Sequence, residues 1–191
     1  MNYFDFIKKN WRFLGFGVSL NFFSSTGQTF YISIFGGEFR RDFGLSDGDF
    51  GFIYMIATLL SAVSLIWLGR LIDSMDLRYY TLLICLGSIT ASFLTSIADS
   101  TLMLVIAFYL LRLMGQGLMN HTAVTSMGRY FTAQRGRAIG IITLGNTLGL
   151  AVYPLVGVIL IKFYGWSYSW LITAVIYSIF LIPLILWLLK S

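Results

Sequence analysis

An arginine stands in the middle of a long apolar stretch of the sequence. Arg112 lies near the centre of residues 102–127, where a charge costs between about 3 and more than about 10 kcal/mol unless a cavity or a partner receives it. Gln116 and Asn120 follow at i+4 and i+8, so a helix presents all three on one face. Because a guanidinium binds carboxylates, this face predicts a binding surface for an anionic solute. The alternative is an arginine that helix-end carbonyls satisfy and that holds helices together.

Polar residues also occupy the centre of the first apolar stretch. Asn21, Ser25 and Gln28 are spaced to share one face of a helix. Helices that line a water-filled path carry such groups, so we predict that these three residues bind substrate. Hydrogen bonding between helices, worth about 0.6 kcal/mol per contact, is the alternative explanation.

Other reactive side chains are scarce. The sequence has one histidine, His121, and one cysteine, Cys85, which argues against a disulfide framework and against multi-ligand metal sites. On an α-helix, the spacing of Arg112 and His121 predicts that they lie on opposite faces. No carboxylate falls well inside an apolar stretch, and no set of nucleophile, base and acid can assemble. We therefore predict neither enzyme activity nor a cofactor.

Helices that cross a membrane must position these side chains. Apolar residues make up 58% of the 191 residues and charged residues 11%, whereas soluble domains carry about 25% charged residues. A helix needs about 20 apolar residues to cross the hydrocarbon core. Six stretches meet this requirement: 13–35, 50–68, 79–98, 102–127, 138–163 and 169–189. We expect an all-α polytopic membrane protein in which residues 1–191 form a single six-helix domain.

The distribution of basic residues predicts the orientation. The net charge is +5, but scattered Lys and Arg residues do not form the basic patch of a nucleic-acid-binding protein. Most of them fall on one side of the predicted helices: Lys8, Lys9, Arg12, Arg70, Arg78, Arg129, Arg135, Arg137 and Lys190. The other side has Arg40, Arg41 and Lys162. The positive-inside rule predicts cytoplasmic termini, in an integral protein of the plasma membrane or a bacterial inner membrane.

Local patterns predict helix caps and close packing. The sequence S-D-G-D from Ser46 to Asp49 is an S-x-x-D pattern at the start of the second helix, and Asp99 and Ser100 precede the fourth. Gly145 and Gly149 in the fifth stretch form a G-x-x-x-G pattern, which allows two helix backbones to approach closely.

The loop after the second predicted helix carries a recognisable motif. Residues 69–78 read GRLIDSMDLR and resemble the G-x-L-x-D-R-x-G-x-R/K signature of the major facilitator superfamily. The motif matches at Gly69, Leu71, Asp73 and Arg78 and departs from the signature at Ser74 and Asp76. The resemblance implies that Asp73 helps to hold a cytoplasmic gate between two halves of the protein, with Gly69 and Arg78 as further gate residues.

A second segment resembles the monocarboxylate porter-like branch of that family. Residues 128–140 read GRYFTAQRGRAIG and are similar to its G-K/R-Y-F-x-x-R-R/G-x-A-x-G segment. Pro154 and Gly157 match part of the family's fifth-helix P-x-x-G pattern, but Tyr153 stands where antiporters have glycine. The acid–glycine pair of animal monocarboxylate transporters is missing from the first helix, so a lactate-like specificity does not carry over.

The resemblance implies a carrier built from two six-helix halves, of which this sequence matches the amino-terminal one. Its implied function is transport of a small solute, such as an organic anion, by alternating access as a secondary transporter. The implied partners are the solute, the lipid bilayer and either a carboxy-terminal six-helix half or a second copy of the chain, without nucleic acid. The alternatives are a non-transporting membrane partner or assembly subunit, and a self-pairing half-transporter.

Overall fold

Short turns separate the helices of this chain. The computed structural model describes residues 2–190 and contains no strand among them. The elements in chain order are α1 (Tyr3–Phe23), a 3₁₀ turn (Ser24–Gly27), α2 (Thr29–Ile32), a 3₁₀ turn (Ser33–Phe35), α3 (Gly36–Phe43), α4 (Asp47–Leu68), a 3₁₀ turn (Gly69–Asp73), α5 (Leu77–Ser96), α6 (Thr101–Leu110), a first π-helical segment (Leu111–Met119), α7 (Asn120–Tyr130), α8 (Arg135–Ile176), a second π-helical segment (Tyr177–Leu181) and α9 (Ile182–Leu188). The predicted all-α class is confirmed.

Within the described chain, four continuous helical segments are long and apolar enough to cross a membrane. They are Asp47–Asp73, Leu77–Ser96, Thr101–Tyr130 and Arg135–Leu188. The last of them contains two predicted stretches, because Gly165 has φ 75° and ψ 173° and interrupts α8 between them. The hydroxyls of Tyr153 and Tyr177, on either side of Gly165, are 3.1 Å apart, so the chain folds back at this glycine.

The first predicted stretch, 13–35, is not one helix. α1 already begins at Tyr3 and ends at Phe23, and Gln28 has an extended backbone with φ −81° and ψ 149°. The prediction that one helix presents Asn21, Ser25 and Gln28 on a common face was therefore wrong. Asn21 belongs to α1, Ser25 to the 3₁₀ turn and Gln28 to the link that follows it.

The physical reason for this break is a crossing of two backbones. A Cβ atom added to Gly27 would lie 2.6 Å from the amide nitrogen of Gln116 and 2.9 Å from the Cα of Gly115. Glycine at both positions lets the 3₁₀ turn pass directly over the first π segment. Two neighbouring irregular stretches of helix therefore touch each other in the middle of the bundle.

The predicted helix caps are confirmed. The Ser46 hydroxyl accepts a hydrogen bond from the amide of Asp49 at 3.1 Å, and the Asp49 carboxylate accepts one from the amide of Ser46 at 3.0 Å. These reciprocal bonds form a capping box at the start of α4. The Ser100 hydroxyl accepts from the amide of Met103 at 3.4 Å and caps α6. Gly44, in the left-handed conformation with φ 62°, ends α3.

The predicted close packing at Gly145 and Gly149 is also confirmed. A Cβ atom on Gly145 would lie 2.9 Å from the Cβ of Asn21, and one on Gly149 would overlap the hydroxyl oxygen of Ser25. The first arm of α8 therefore packs directly against α1 and the 3₁₀ turn after it, as small residues at helix interfaces permit.

Buried apolar side chains form two clusters along the bundle. The termini cluster contains residues near both ends of the chain, including Phe6 and Leu188, and also the single cysteine, Cys85. The distal cluster is built largely from aromatic residues, including Phe108 and Trp170. Leu111 belongs to the distal cluster and Leu113 to the termini cluster, so the residue between them, Arg112, lies at the boundary of the two.

Candidate functional site

Arg112 is buried and only partly satisfied by its surroundings. Its Nη1 donates hydrogen bonds to the carbonyl of Gly27 and to the hydroxyl of Thr29, both at 3.2 Å. Its guanidinium carbon lies 5.3 Å from the ring centroid of Tyr54, within cation–π distance. Among residues 2–190 no carboxylate forms an ion pair with Arg112, and its Nε is buried without a hydrogen-bond partner.

A cavity of about 370 Å³ opens beside this guanidinium, between α4 and the first π segment with α7. Its polar lining consists of Thr58, Ser61, Arg112, Gln116, Asn120, His121 and Thr125. Three of these residues have buried polar atoms without a partner among the described residues: Thr58 Oγ1, Arg112 Nε and Gln116 Oε1. Buried polar atoms are almost always paired, so a cavity lined by residues with unpaired donors and acceptors is suited to a polar ligand or water. We call it the Arg112 cavity.

The π segment explains which residues line the Arg112 cavity. The predicted common face of Arg112, Gln116 and Asn120 is present, since all three contact the cavity. His121 contacts it too, so the prediction that Arg112 and His121 lie on opposite faces was wrong. An i→i+5 turn holds more residues than an i→i+4 turn, and each residue therefore rotates the chain by a smaller angle. Over Leu111–Met119 this difference brings His121 round to the side of Arg112.

The predicted site residues of the first stretch lie elsewhere. Asn21 donates from Nδ2 to the carbonyl of Ile142 at 2.9 Å, and Ser25 contacts Gly149, so both lie between α1 and α8. Gln28 is half-buried in the link before α2. None of the three lines the Arg112 cavity. The contacts of Asn21 and Ser25 are those of helix packing, but Asn21 Oδ1 and Ser25 Oγ are buried without a hydrogen-bond partner. Their role in substrate binding stays a prediction.

Of the predicted gate residues, Asp73 has a strong partner. Its carboxylate forms an ion pair with the guanidinium of Arg129 at the end of α7. The Nη1 of Arg129 also donates to the carbonyl of Ile72 at 3.2 Å, which ties α7 to the 3₁₀ turn after α4. Arg78 is exposed, and its backbone amide donates to the Asp76 carboxylate at 2.9 Å. Sequence reasoning did not assign Arg129 to the gate, although Arg129 is the second residue of the 128–140 motif.

A second cavity, of about 300 Å³, joins this ion pair to the Arg112 cavity. Asp73 and Arg129 line it, and it shares His121 and Thr125 with the Arg112 cavity. The Nε2 of His121 lies 3.2 Å from the carbonyl oxygen of Gly69, the third predicted gate residue. Polar side chains of α4, of the 3₁₀ turn after it and of α7 thus continue from the middle of the bundle to the end where α1 begins and α9 ends.

The opposite end of the bundle has its own charged group. The Asp42 carboxylate accepts hydrogen bonds from Trp166 Nε1 at 2.7 Å and from Arg41 Nε at 2.8 Å. These bonds lower the pKa of Asp42 from its usual value of 3.8, with the bond from Trp166 as the largest cause. Within the described part of the chain, no group of three or more His, Cys, Asp and Glu side chains is arranged to hold a metal ion.

Comparison with known protein families identifies the family of this chain. A family model described as Major Facilitator Superfamily matches residues 17–191. This chain belongs to the major facilitator superfamily. As a superfamily member with several long apolar helices, the protein is an integral membrane protein.

The sequence is also similar to part of two known transporters. This chain is similar to Monocarboxylate transporter 9 from Rattus norvegicus and to Monocarboxylate transporter 9 from Mus musculus, with 35% identity over 72 residues in each case. The aligned residues are 38% of this chain and 14% of each relative, so the match spans a small part of the relatives' length. No solved structure matches the chain. The predicted resemblance to the superfamily and to its monocarboxylate branch is confirmed.

Proposed function

We propose that this protein is a secondary transporter that carries a small organic anion across the membrane by alternating access. The observation that supports this proposal most strongly is the Arg112 cavity. It contains a buried guanidinium without a carboxylate partner in the described chain, next to unpaired polar atoms of Thr58 and Gln116. Membership of the major facilitator superfamily supports the transport function, and the similarity to two monocarboxylate transporters favours a monocarboxylate as the solute.

In this proposal Arg112 supplies the attraction for the anion. A buried charge that lacks an opposite charge is costly, and an entering carboxylate relieves that cost. The planar guanidinium can offer two parallel N–H donors to a carboxylate, and its Nε is already free of other partners. Gln116, Asn120 and Thr58 then provide hydrogen bonds that orient the rest of the solute.

The Asp73–Arg129 ion pair belongs to the gate in this proposal. It closes the polar path at the end of the bundle that carries the termini, and Gly69 and Arg78 are the further gate residues. The excess of Lys and Arg at this end supports a cytoplasmic location for it. Opening of the path from this side requires Asp73 to separate from Arg129.

Alternating access also requires a second domain that faces the substrate path from the other side. We propose that residues 1–191 form one six-helix domain that acts as the amino-terminal half of a transporter. The second domain is a carboxy-terminal six-helix half or a second copy of this chain. Substrate sites between two such halves lie near the middle of the bilayer, the depth at which the sequence places Arg112.

Uptake of a radiolabelled monocarboxylate into proteoliposomes tests the proposal, with pyruvate as the probe and the complete transporter protein reconstituted. We expect Arg112→Lys, which keeps the charge and loses the planar fork, to lower uptake at least about tenfold, since a hydrogen bond to a charged group is worth about 1.5–3 kcal/mol. Arg41→Lys is the matched control at the exposed distal end and should leave uptake unchanged. Unchanged uptake in Arg112→Ala at equal protein content would contradict the role of Arg112. A wild-type protein that captures another membrane protein and moves no solute would instead support an assembly subunit.

A further inference from the structure

The first residues of α1 form a separate segment of the helix. Asn10 has non-helical dihedral angles of φ −116° and ψ 16°, so residues 3–9 meet the remainder of α1 at a kink. We call residues 3–9 the N-terminal segment. Phe6 attaches it to the bundle, since its ring centroid lies 5.0 Å from that of Phe131 and its exposed fraction is 1%. The segment is therefore held in a defined position on the protein.

This segment is amphipathic, and its apolar face is only partly covered. Around the helix, Tyr3 and Ile7 lie between Phe6 and Phe4, so the four form one apolar arc, and the exposed fractions of Tyr3, Phe4 and Ile7 are 49%, 80% and 37%. The opposite side carries Lys8 and Lys9, both exposed, together with Asp5. An uncovered apolar face opposite a basic face is the pattern of a helix that lies in the interface of a bilayer.

Residues from the other end of the chain extend this surface. The rings of Trp11 and Trp187 lie 5.4 Å apart, and both side chains are about half exposed. The Nη2 of Arg12 donates to the carbonyl of Trp187 at 2.5 Å, and Lys190 follows in the sequence. Tryptophan is enriched at the level of lipid headgroups. Basic and aromatic side chains from both chain ends are therefore gathered at one end of the bundle.

We propose that the N-terminal segment and the adjoining Trp11–Trp187 pair form a binding surface for anionic phospholipid headgroups. The lysines contact the lipid phosphates, while Tyr3, Phe4 and Ile7 enter the boundary with the acyl chains. A bilayer lies next to this surface because α1 packs along α8, which belongs to a segment long and apolar enough to cross a membrane. A second copy of the chain would place the same basic side chains against one another, so charge complementarity favours the anionic lipid. The proposal does not depend on which solute the protein transports.

Fluorescence quenching by brominated lipids tests the proposal on the full chain in vesicles. Tryptophan fluorescence is measured with dibrominated phosphatidylglycerol or dibrominated phosphatidylcholine at equal mole fractions. We expect the wild type to prefer phosphatidylglycerol, and we expect the double variant Lys8→Gln/Lys9→Gln to lower that preference by roughly fivefold or more, the effect of about one basic residue at an anionic surface. High salt should reduce the wild-type preference in the same direction.

Lys162→Gln is the matched control, because Lys162 is an exposed lysine beside an aromatic ring, 5.7 Å from Phe163, outside the N-terminal segment. It should retain the wild-type preference. Equal quenching by the two lipids in the wild type would overturn the proposal, and so would an unchanged preference in the Lys8→Gln/Lys9→Gln protein. Both lysines are exposed and form no described tertiary hydrogen bond, so circular dichroism should show that the double variant folds as the wild type does.

Discussion

The two π-helical segments share one backbone irregularity and have different surroundings. In the second segment, the Tyr177 hydroxyl lies within hydrogen-bond distance of the Phe23 carbonyl, of Thr26 Oγ1 at 2.9 Å and of the Tyr153 hydroxyl at 3.1 Å. In the first segment, Arg112 and Gln116 retain buried atoms without partners. Widened helical turns often occur at functional sites, but the turn alone does not distinguish a binding segment from a packing segment. For these two segments, the unpaired polar atoms make the distinction.

The cavities next to the two segments support the same distinction. A pocket of about 440 Å³ beside the second segment is lined mainly by apolar and aromatic side chains, including Phe22, Val156 and Phe180. The Arg112 cavity has a similar volume of about 370 Å³ but is lined by residues that carry unpaired donor and acceptor atoms. Cavity volume therefore does not separate the two regions, whereas the state of their polar atoms does.

The largest expected effect comes from the backbone crossing at the first π segment. A Cβ atom in Gly115→Ala would lie 2.9 Å from both the Cα and the amide nitrogen of Gly27, and these backbone atoms cannot yield as a side chain can. We expect a loss of stability of at least about 3 kcal/mol, measured by thermal unfolding in detergent. Gly140→Ala is the control, because a Cβ atom there meets open space and should be neutral or stabilise the helix by up to about 1 kcal/mol. A Gly115→Ala protein as stable as the wild type would show that the crossing is not tight.

The next effect tests the second segment as a packing element. Tyr177→Phe removes a buried hydroxyl and leaves the Phe23 carbonyl and the Thr26 hydroxyl with fewer partners. We expect a stability loss of about 1–3 kcal/mol, with uptake per folded molecule unchanged. Tyr168→Phe, at an exposed position, should change neither quantity. Loss of uptake at wild-type stability would give the second segment a functional role and remove the contrast between the segments.

The first segment should show the opposite response at Gln116. Gln116→Leu removes an acceptor that has no described partner, so stability should change by less than about 0.5 kcal/mol. Pyruvate uptake should fall about fivefold, which corresponds to one hydrogen bond of about 1 kcal/mol to the solute. The measurements are thermal unfolding and proteoliposome uptake on the same preparation. A destabilised variant with full uptake would place Gln116 among the packing residues.

The smallest expected effect lies outside both segments, at Asp42. Its bonds from Trp166 and Arg41 lower the pKa of Asp42 in the folded state. The bonds therefore stabilise the fold above the unfolded pKa of 3.8, and this contribution is lost as the pH falls through the lower folded pKa. Asp42→Asn should cost on the order of a few tenths of a kcal/mol at pH 7, because the side chain is exposed and the contact is screened. Equal wild-type and Asp42→Asn stabilities at pH 7 would contradict this prediction.

Local sequence patterns predicted much of the fold. The helical class followed from composition and from the length of the apolar stretches, and the caps at Ser46 and Ser100 followed from residues three positions apart. The close packing at Gly145 and Gly149 followed from the spacing of small residues. The caps and the glycine spacing depend on residues within about one helix turn, and the helical class depends on composition, so the sequence displays all of them directly.

Features that depend on distant residues were missed. The first stretch breaks because Gly27 meets Gly115, a contact that no local pattern reveals. His121 lines the Arg112 cavity because the π segment changes the angle per residue, and the sequence was interpreted with regular α-helical spacing. The partner of Asp73 proved to be Arg129 on another helix rather than a residue of its own motif. The position of Arg112 at a cavity could be predicted, because a charge inside an apolar stretch is costly unless a cavity or a partner receives it.

Cys85 offers a practical route to following motion in this protein. It is the only cysteine in the sequence, and its side chain is fully enclosed within α5 and its neighbours. Within residues 1–191, water-soluble maleimides therefore have no exposed native thiol to modify while the chain stays folded. A cysteine introduced at an exposed position of this segment can carry a spin label or fluorophore without first replacing Cys85.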